Sequence, residues 1–222
     1  MFNYHSIVQR ILNCFNKDEL KVYKSLNSFD CLHLASMGHN DTEGYQIFTP
    51  EFIVKQMCDA IEDDILDFSI NILEPTSGDG AFTVYILQKR LEKAYKEGNF
   101  ELNSLKALST LYSIEMDKEL IEKQRNNIFT VFHLFIKEHN IQTNDGYLDL
   151  IKCIIAKNYL WAMFNVDRDT QTMARFNNEV DLAFAMPNAE KNKENDKYLL
   201  MPVWEINESN ITLREEGVEY GG

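Results

Sequence analysis

Positive charge is scarce in this sequence. Among 222 residues, 22 Lys and Arg stand against 35 Asp and Glu, a formal net charge of −13. Non-specific DNA affinity comes chiefly from Lys and Arg neutralising phosphates, so this balance argues against a chain that binds nucleic acid unaided. A local basic patch or a basic partner is the route that remains. Cysteine is sparse too: Cys14, Cys31, Cys58 and Cys153 lie far apart with no CxxC pairing. That excludes a disulfide framework and a zinc knuckle, and it points to a reducing, cytoplasmic setting. No apolar run approaches the roughly 18–20 residues of a membrane span, and the polar start MFNYHSIVQR does not read as a signal peptide. The P-loop pattern GxxxxGKS/T, the zincin pattern HExxH and the hydrolase elbow GxSxG are all missing. His5, His33, His39, His133 and His139 show no ligand spacing, so no metal is expected. Composition alone leaves an acidic domain without membrane or metal chemistry.

What is present suffices for a packed core. Hydrophobic residues make up 45% and aromatics 12%, which rules out wholesale disorder. The length suits one ordinary domain, or one domain plus a helical arm. Tyr4 to Cys14 puts Ile7, Val8, Ile11 and Leu12 on one helical face, and Lys17 to Leu26 reads as a second helix. A polar loop at 37–45 follows, then a helix over Glu51 to Leu66.

The pattern then changes. Ser69 to Leu73 is a short apolar run that stops at EPTSGDG, and helical spacing resumes from Ala81 to Lys96. Gly98 to Leu108 reads as an extra helical insertion on the surface. Leu111 to Ile114 is a second strand, ending at Glu115-Met116-Asp117, and a long helix runs from Lys118 to about His139. Ile141 to Thr143 is expected as a third strand, Val180 to Ala185 as a fourth and Tyr198 to Ile206 as a fifth. Strands alternating with helices predict an α/β fold with a mainly parallel sheet. Ligands in such sheets bind beyond the carboxyl ends of the strands. The turns 74–80, 115–117 and 144–146 are expected there.

The turn Glu74-Pro75-Thr76-Ser77-Gly78-Asp79-Gly80 carries the chemistry. Gly78 and Gly80 permit positive φ and close approach of a ligand to the backbone. The helix that follows aims free N–H groups and a positive dipole end at the same place. Glu115 is placed to accept both hydroxyls of a ribose, and Asp145 to accept from an exocyclic adenine amino group.

These residues carry a family resemblance. Gly44-Tyr45-Gln46-Ile47-Phe48-Thr49-Pro50 looks like the entry motif of N6-adenine DNA methyltransferases, notably the modification subunits of type I restriction systems. Ile72 to Phe82 is similar to their first S-adenosylmethionine motif. Ser113 to Asp117 resembles the second, and Asn144 to Leu148 the third. The resemblance covers about residues 44–150 and implies a Rossmann-like S-adenosylmethionine-dependent methyltransferase sheet. By position that sheet is truncated: an N-terminal helical arm at 1–43, a methyltransferase-like domain at 44–206 and an acidic C-terminal tail at 207–222. It also implies that Phe48, Thr49 and Pro50 flank the methionine end of S-adenosylmethionine. Glu74, Pro75, Gly78 and Gly80 then shape its pocket, with Glu115 on the ribose, Asp145 on the adenine amino group and Met116 among the cofactor-binding residues.

The family's fourth strand leads into an Asn/Asp-Pro-Pro-Tyr/Phe tetrapeptide. Adenine's amino lone pair is delocalised, so acceptors must redirect it toward the methyl group while an aromatic ring stacks on the flipped base. Here the corresponding residues are Met186-Pro187-Asn188-Ala189. A thioether, a weak acceptor, replaces the first side chain, and a methyl replaces the ring. Pro187 and Asn188 are the catalytic candidates that survive. No target-recognition domain is present, so DNA is expected only through a partner specificity subunit. The competing expectation is a non-catalytic cofactor-binding or decoy subunit, which assembles with a restriction-modification complex or interferes with one.

Overall fold

A computed structural model of the chain describes residues 2–35, 48–164, 184–185 and 201–216. Helix Tyr4–Leu12 (α1) starts where the Asn3 side chain accepts from the Ser6 amide, and it buries Tyr4, Ile7, Val8 and Ile11. Lys17–Ser25 (α2) opens on a capping box. Asn16 accepts from the Asp18 and Glu19 amides, and the Glu19 carboxylate accepts from the Asn16 N–H. Such a cap stabilises by about 1 kcal/mol. The single helix expected over 51–66 is two, Glu51–Asp59 (α3) and Glu62–Leu66 (α4). The break has an electrostatic reason: Glu62, Asp63 and Asp64 form the first turn of α4, where a new helix dipole favours negative charge.

Ile72–Glu74 (β1) leads through the glycine turn into Ala81–Glu97 (α5). Phe100–Ser109 (α6) follows and feeds Leu111–Glu115 (β2). Lys118–Glu138 (α7), Tyr147–Asn158 (α8) and Tyr159–Trp161 (β3) come next. The three strands form a parallel sheet in the order β1-β2-β3, with Glu74 opposite Ser113 and Ser113 opposite Tyr159. Met163–Phe164 (β4) pairs antiparallel with Phe184–Ala185 (β5), and Met201–Ile206 (β6) forms a hairpin with Ile211–Glu216 (β7). The chain is mixed α/β, and its parallel sheet is compatible with a Rossmann-like fold.

Four further expectations need correction. Ile141–Thr143 is irregular, and the third sheet strand is Tyr159–Trp161, delivered by a helix that the sequence reading passed over. From the stretch expected as the fourth strand, 180–185, the described residues Phe184–Ala185 pair antiparallel. Residues 211–216 are a strand within the stretch expected as tail, and Ile211 belongs to the core. The insertion is no surface addition: α6 buries Phe100, Leu102, Leu105, Ala107 and Leu108. Each fully buried leucine contributes about 1.5–3 kcal/mol relative to exposure, so α6 is a core element. The N-terminal helices join the same core through Tyr4, Ile7, Val8 and Ile11.

Two buried arginines lace the starts of the strands. Arg90 donates to the carbonyls of Ile65, Asp67, Ile70 and Ala107 and to the Thr110 hydroxyl. That cage of oxygens satisfies a cation whose burial pushes its pKa down to about 10. Arg125 on α7 donates twice to the Tyr159 carbonyl. The amide of Asn158 ties Ser109 to Leu111. With the entry ends pinned, the carboxyl ends of β1, β2 and β3 are held at one rim.

Candidate functional site

The rim is built from the turn between β1 and α5. The Ser77 N–H donates to the Ile114 carbonyl at 3.0 Å, and the Gly80 N–H donates back to the Ser77 carbonyl at 2.9 Å. This forces Gly78 to φ +56° and Gly80 to φ +91°, the left-handed region that glycine enters without strain. The two glycines face different surroundings. A Cβ on Gly80 would collide with the Gln124 side chain, whereas one on Gly78 would lie 3.9 Å from the Phe48 ring. Gly80 is therefore required by packing, and Gly78 lies beside Phe48.

Beneath the turn is a buried polar network. Gln124 of α7 is wholly buried and makes three bonds. Its oxygen accepts from Ser77 Oγ at 2.7 Å, and its amide nitrogen donates to Thr83 Oγ1 at 3.1 Å and Ser113 Oγ at 2.9 Å. The Thr83 hydroxyl donates in turn to the Glu74 carboxylate. Burial raises the Glu74 pKa from 4.5 to about 7, and the bonds from Thr83 offset that only partly. A cleft of about 240 Å³ opens beside Glu74, walled by Leu73, Pro75, Phe82, Ile86 and Tyr112. It is smaller than the roughly 300–1,000 Å³ of a site that engulfs a drug-sized ligand, so it would take one moiety only.

Glu115 closes the middle strand. One carboxylate oxygen accepts from the Gly78 N–H at 2.7 Å, and the other from the Asp117 N–H at 2.8 Å. An ionised carboxylate has about four acceptor positions, so two remain after both backbone bonds. A vicinal diol needs two. Beyond Glu115, the Trp161 indole donates to the Met116 carbonyl at 3.0 Å, and the Lys118 ammonium lies 5.7 Å from the Trp161 ring centroid. Met116 is 62% exposed.

The structure thus brings Phe48, Glu74, Gly78, Gly80, Glu115 and Met116 together. Thr49 is half-buried and Pro50 exposed at the start of α3, and Pro75 is exposed on the turn. Gly44 to Ile47 of the entry motif, and Pro187 and Asn188, lie outside the described residues. Asp145 is not brought to the rim. Its neighbour Asn144 is clamped by Glu101 at the start of α6, and a Cβ on Gly146 would lie 2.9 Å from the His5 amide of α1. Phe100, one residue before Glu101, packs on Tyr95 and Phe135 near the last turns of α5 and α7. Both helices begin at the rim, and 17 residues of α5 span about 25 Å. The Asp145 turn therefore belongs to the opposite end of the molecule: an irregular connection rather than a strand precedes it, and α8 carries the chain from it to the start of β3. At the rim, β3 ends at Trp161, and the N–H of the next residue, Ala162, donates to the Glu115 carbonyl at 3.0 Å.

The residues that the sequence reading missed are Ser77, Thr83, Ser113, Gln124 and Trp161. A serine inside the apolar strand LYSIE is the one signal that pointed to a buried polar contact. Among the described residues, no group of three His, Cys, Asp or Glu side chains is placed to hold a metal ion, and no helix is long and apolar enough to cross a membrane. Compared with protein-family models, curated proteins and solved structures, the chain matches none.

Proposed function

We propose that this chain is the S-adenosylmethionine-binding part of an N6-adenine DNA methyltransferase, similar to the modification subunits of type I restriction systems. It would reach DNA through a partner specificity subunit. The observation that carries this reading is Glu115. Its carboxylate stands at the end of the middle parallel strand, held by the Gly78 and Asp117 amides, with two acceptor positions left for a ribose diol. The glycine turn beside it supplies a backbone that a nucleoside can approach. The first turn of α5 supplies a positive dipole end. Asp79, the carboxylate nearest to it in sequence, is engaged by the Ala35 N–H, and the half-buried Glu74 opens the turn. When bound, S-adenosylmethionine supplies an electrophilic methyl group. The Pro187 carbonyl and Asn188 amide are the groups of this chain assigned to orient the adenine amino group toward it.

Met186 and Ala189, standing where the family carries an acceptor side chain and a stacking ring, favour a second reading. In that reading the chain binds cofactor without catalysis, as an assembly or decoy subunit of a restriction-modification complex. One assay separates the two. Transfer of labelled methyl groups to adenine-containing DNA is measured with and without a specificity subunit. Incorporation supports the enzyme; cofactor binding with no incorporation in any combination supports the non-catalytic subunit. A chain that neither binds the cofactor nor transfers methyl groups defeats both.

A further inference from the structure

The segment between α2 and the glycine turn has an unusual set of partners. Leu26 and Leu34 are buried at its two ends, while between them the backbone is tied down by side chains of other elements. The Asn27 N–H donates to Asn126 Oδ1 at 2.9 Å, the Phe29 N–H to Thr130 Oγ1 at 2.9 Å and the His33 N–H to Asn127 Oδ1 at 2.9 Å. The Ala35 N–H donates to the Asp79 carboxylate. The chain bends at Asp30 and Cys31, so the contacts run along α7 from Asn126 to Thr130 and return to Asn127. Three side-chain oxygens of α7 and one of the glycine turn thus hold the backbone of this irregular segment.

Asn127 is where the segment and the turn meet. Fully buried, it accepts from the His33 amide, and its own amide donates to the His33 carbonyl at 3.0 Å and the Asp79 carbonyl at 3.2 Å. Asp79, in the middle of the glycine turn, is itself 1% exposed and faces Lys123 Nζ at 3.5 Å. Both the carbonyl and the carboxylate of Asp79 are therefore engaged by the 33–35 stretch or by the residue that holds it.

We infer that residues 27–35 are a strap that regulates the glycine turn, with Asn127 as the positioning residue that couples them. Releasing the strap loosens Ser77 to Gly80, and fixing the turn fixes the strap, because coupling between two sites is reciprocal. Applied to the cofactor reading above, cofactor affinity then depends on strap attachment. The coupling itself needs no ligand.

The test is hydrogen exchange of the ligand-free full chain, comparing the parent with Asn127→Ala and Thr130→Val. Thr130 touches the strap at Phe29 and lies away from the turn, so it decides the matter even where Asn127→Ala fails to fold. The expected result is faster exchange in the strap in both variants. The Ser77, Gly78 and Gly80 amides also speed up, by about ten-fold, the scale of an ordinary inter-site coupling, while α5 and α8 stay protected. A strap that exchanges faster while the turn amides keep their parent rates overturns the inference. That outcome leaves the cofactor reading untouched, since no cofactor enters the experiment.

Discussion

Two turns of this protein look alike in sequence and do different work. Ser77-Gly78-Asp79-Gly80 and Asn144-Asp145-Gly146 each combine glycine with short polar residues ahead of a helix, and each places glycine at positive φ in the helix N-cap position. The first follows a strand and is bonded to the tip of the next strand through Ile114 and Glu115. The second follows an irregular connection and is clamped between α6 and α1 by Glu101 and the Tyr4-His5 backbone. Composition of a turn marks where the chain reverses. What precedes it decides whether the turn lies at the strand-end rim or in a packing seam.

The difference can be broken by mutation. The largest effect is expected for Gly146→Val. A β-branched side chain at φ +83° would press on the His5 amide, which should cost about 3 kcal/mol of stability in urea unfolding. Glu74→Gln should act in a pH-dependent way. The folded-state pKa of about 7 lies above the unfolded value of 4.5, so the folded state holds its proton longer. Stability is then lost as pH rises from about 4.5 to about 7. The Gln variant removes that penalty, gaining on the order of 3 kcal/mol at pH 8 and little at pH 4, read from melting curves at both pH values. Gly80→Ala should cost about 2 kcal/mol through its collision with Gln124. Gly78→Ala should cost only about 1 kcal/mol of backbone strain, so equal losses at the two positions would contradict their separate roles. Asp145→Ala, at an exposed position on the packing seam, should change stability by less than about 0.5 kcal/mol and leave cofactor binding unaltered.

Much of the rim was legible because period and punctuation agree there. The apolar run ending at Glu74, the glycines at 78 and 80 and the helical spacing from Ala81 each predict the element that is found. Leu111 to Glu115 was legible for the same reason. Helix α8 was not, because its run YLDLIKCIIAKN is apolar almost throughout and buried on most sides, which erases the stripe that marks an amphipathic helix. With α8 unseen, the short stretch Ile141 to Thr143 stands in for the third strand, and Asp145 reads as its end although Tyr159–Trp161 is the strand that α8 delivers. Gln124 was illegible for another reason: a buried glutamine inside KELIEKQRNN looks like one more solvated side chain until Ser77, Thr83 and Ser113 arrive from distant parts of the chain to satisfy it.

Calorimetric titration with S-adenosylmethionine, run on the parent chain and on Glu115→Ala, tests the central claim most directly. The parent should bind with a Kd on the order of 1 μM, about −8 kcal/mol, and removal of the carboxylate should abolish measurable binding while the fold persists by circular dichroism. A parent chain that gives neither heat nor thermal stabilisation with the cofactor would contradict the assignment of this rim. So would an alanine variant that binds as tightly as the parent.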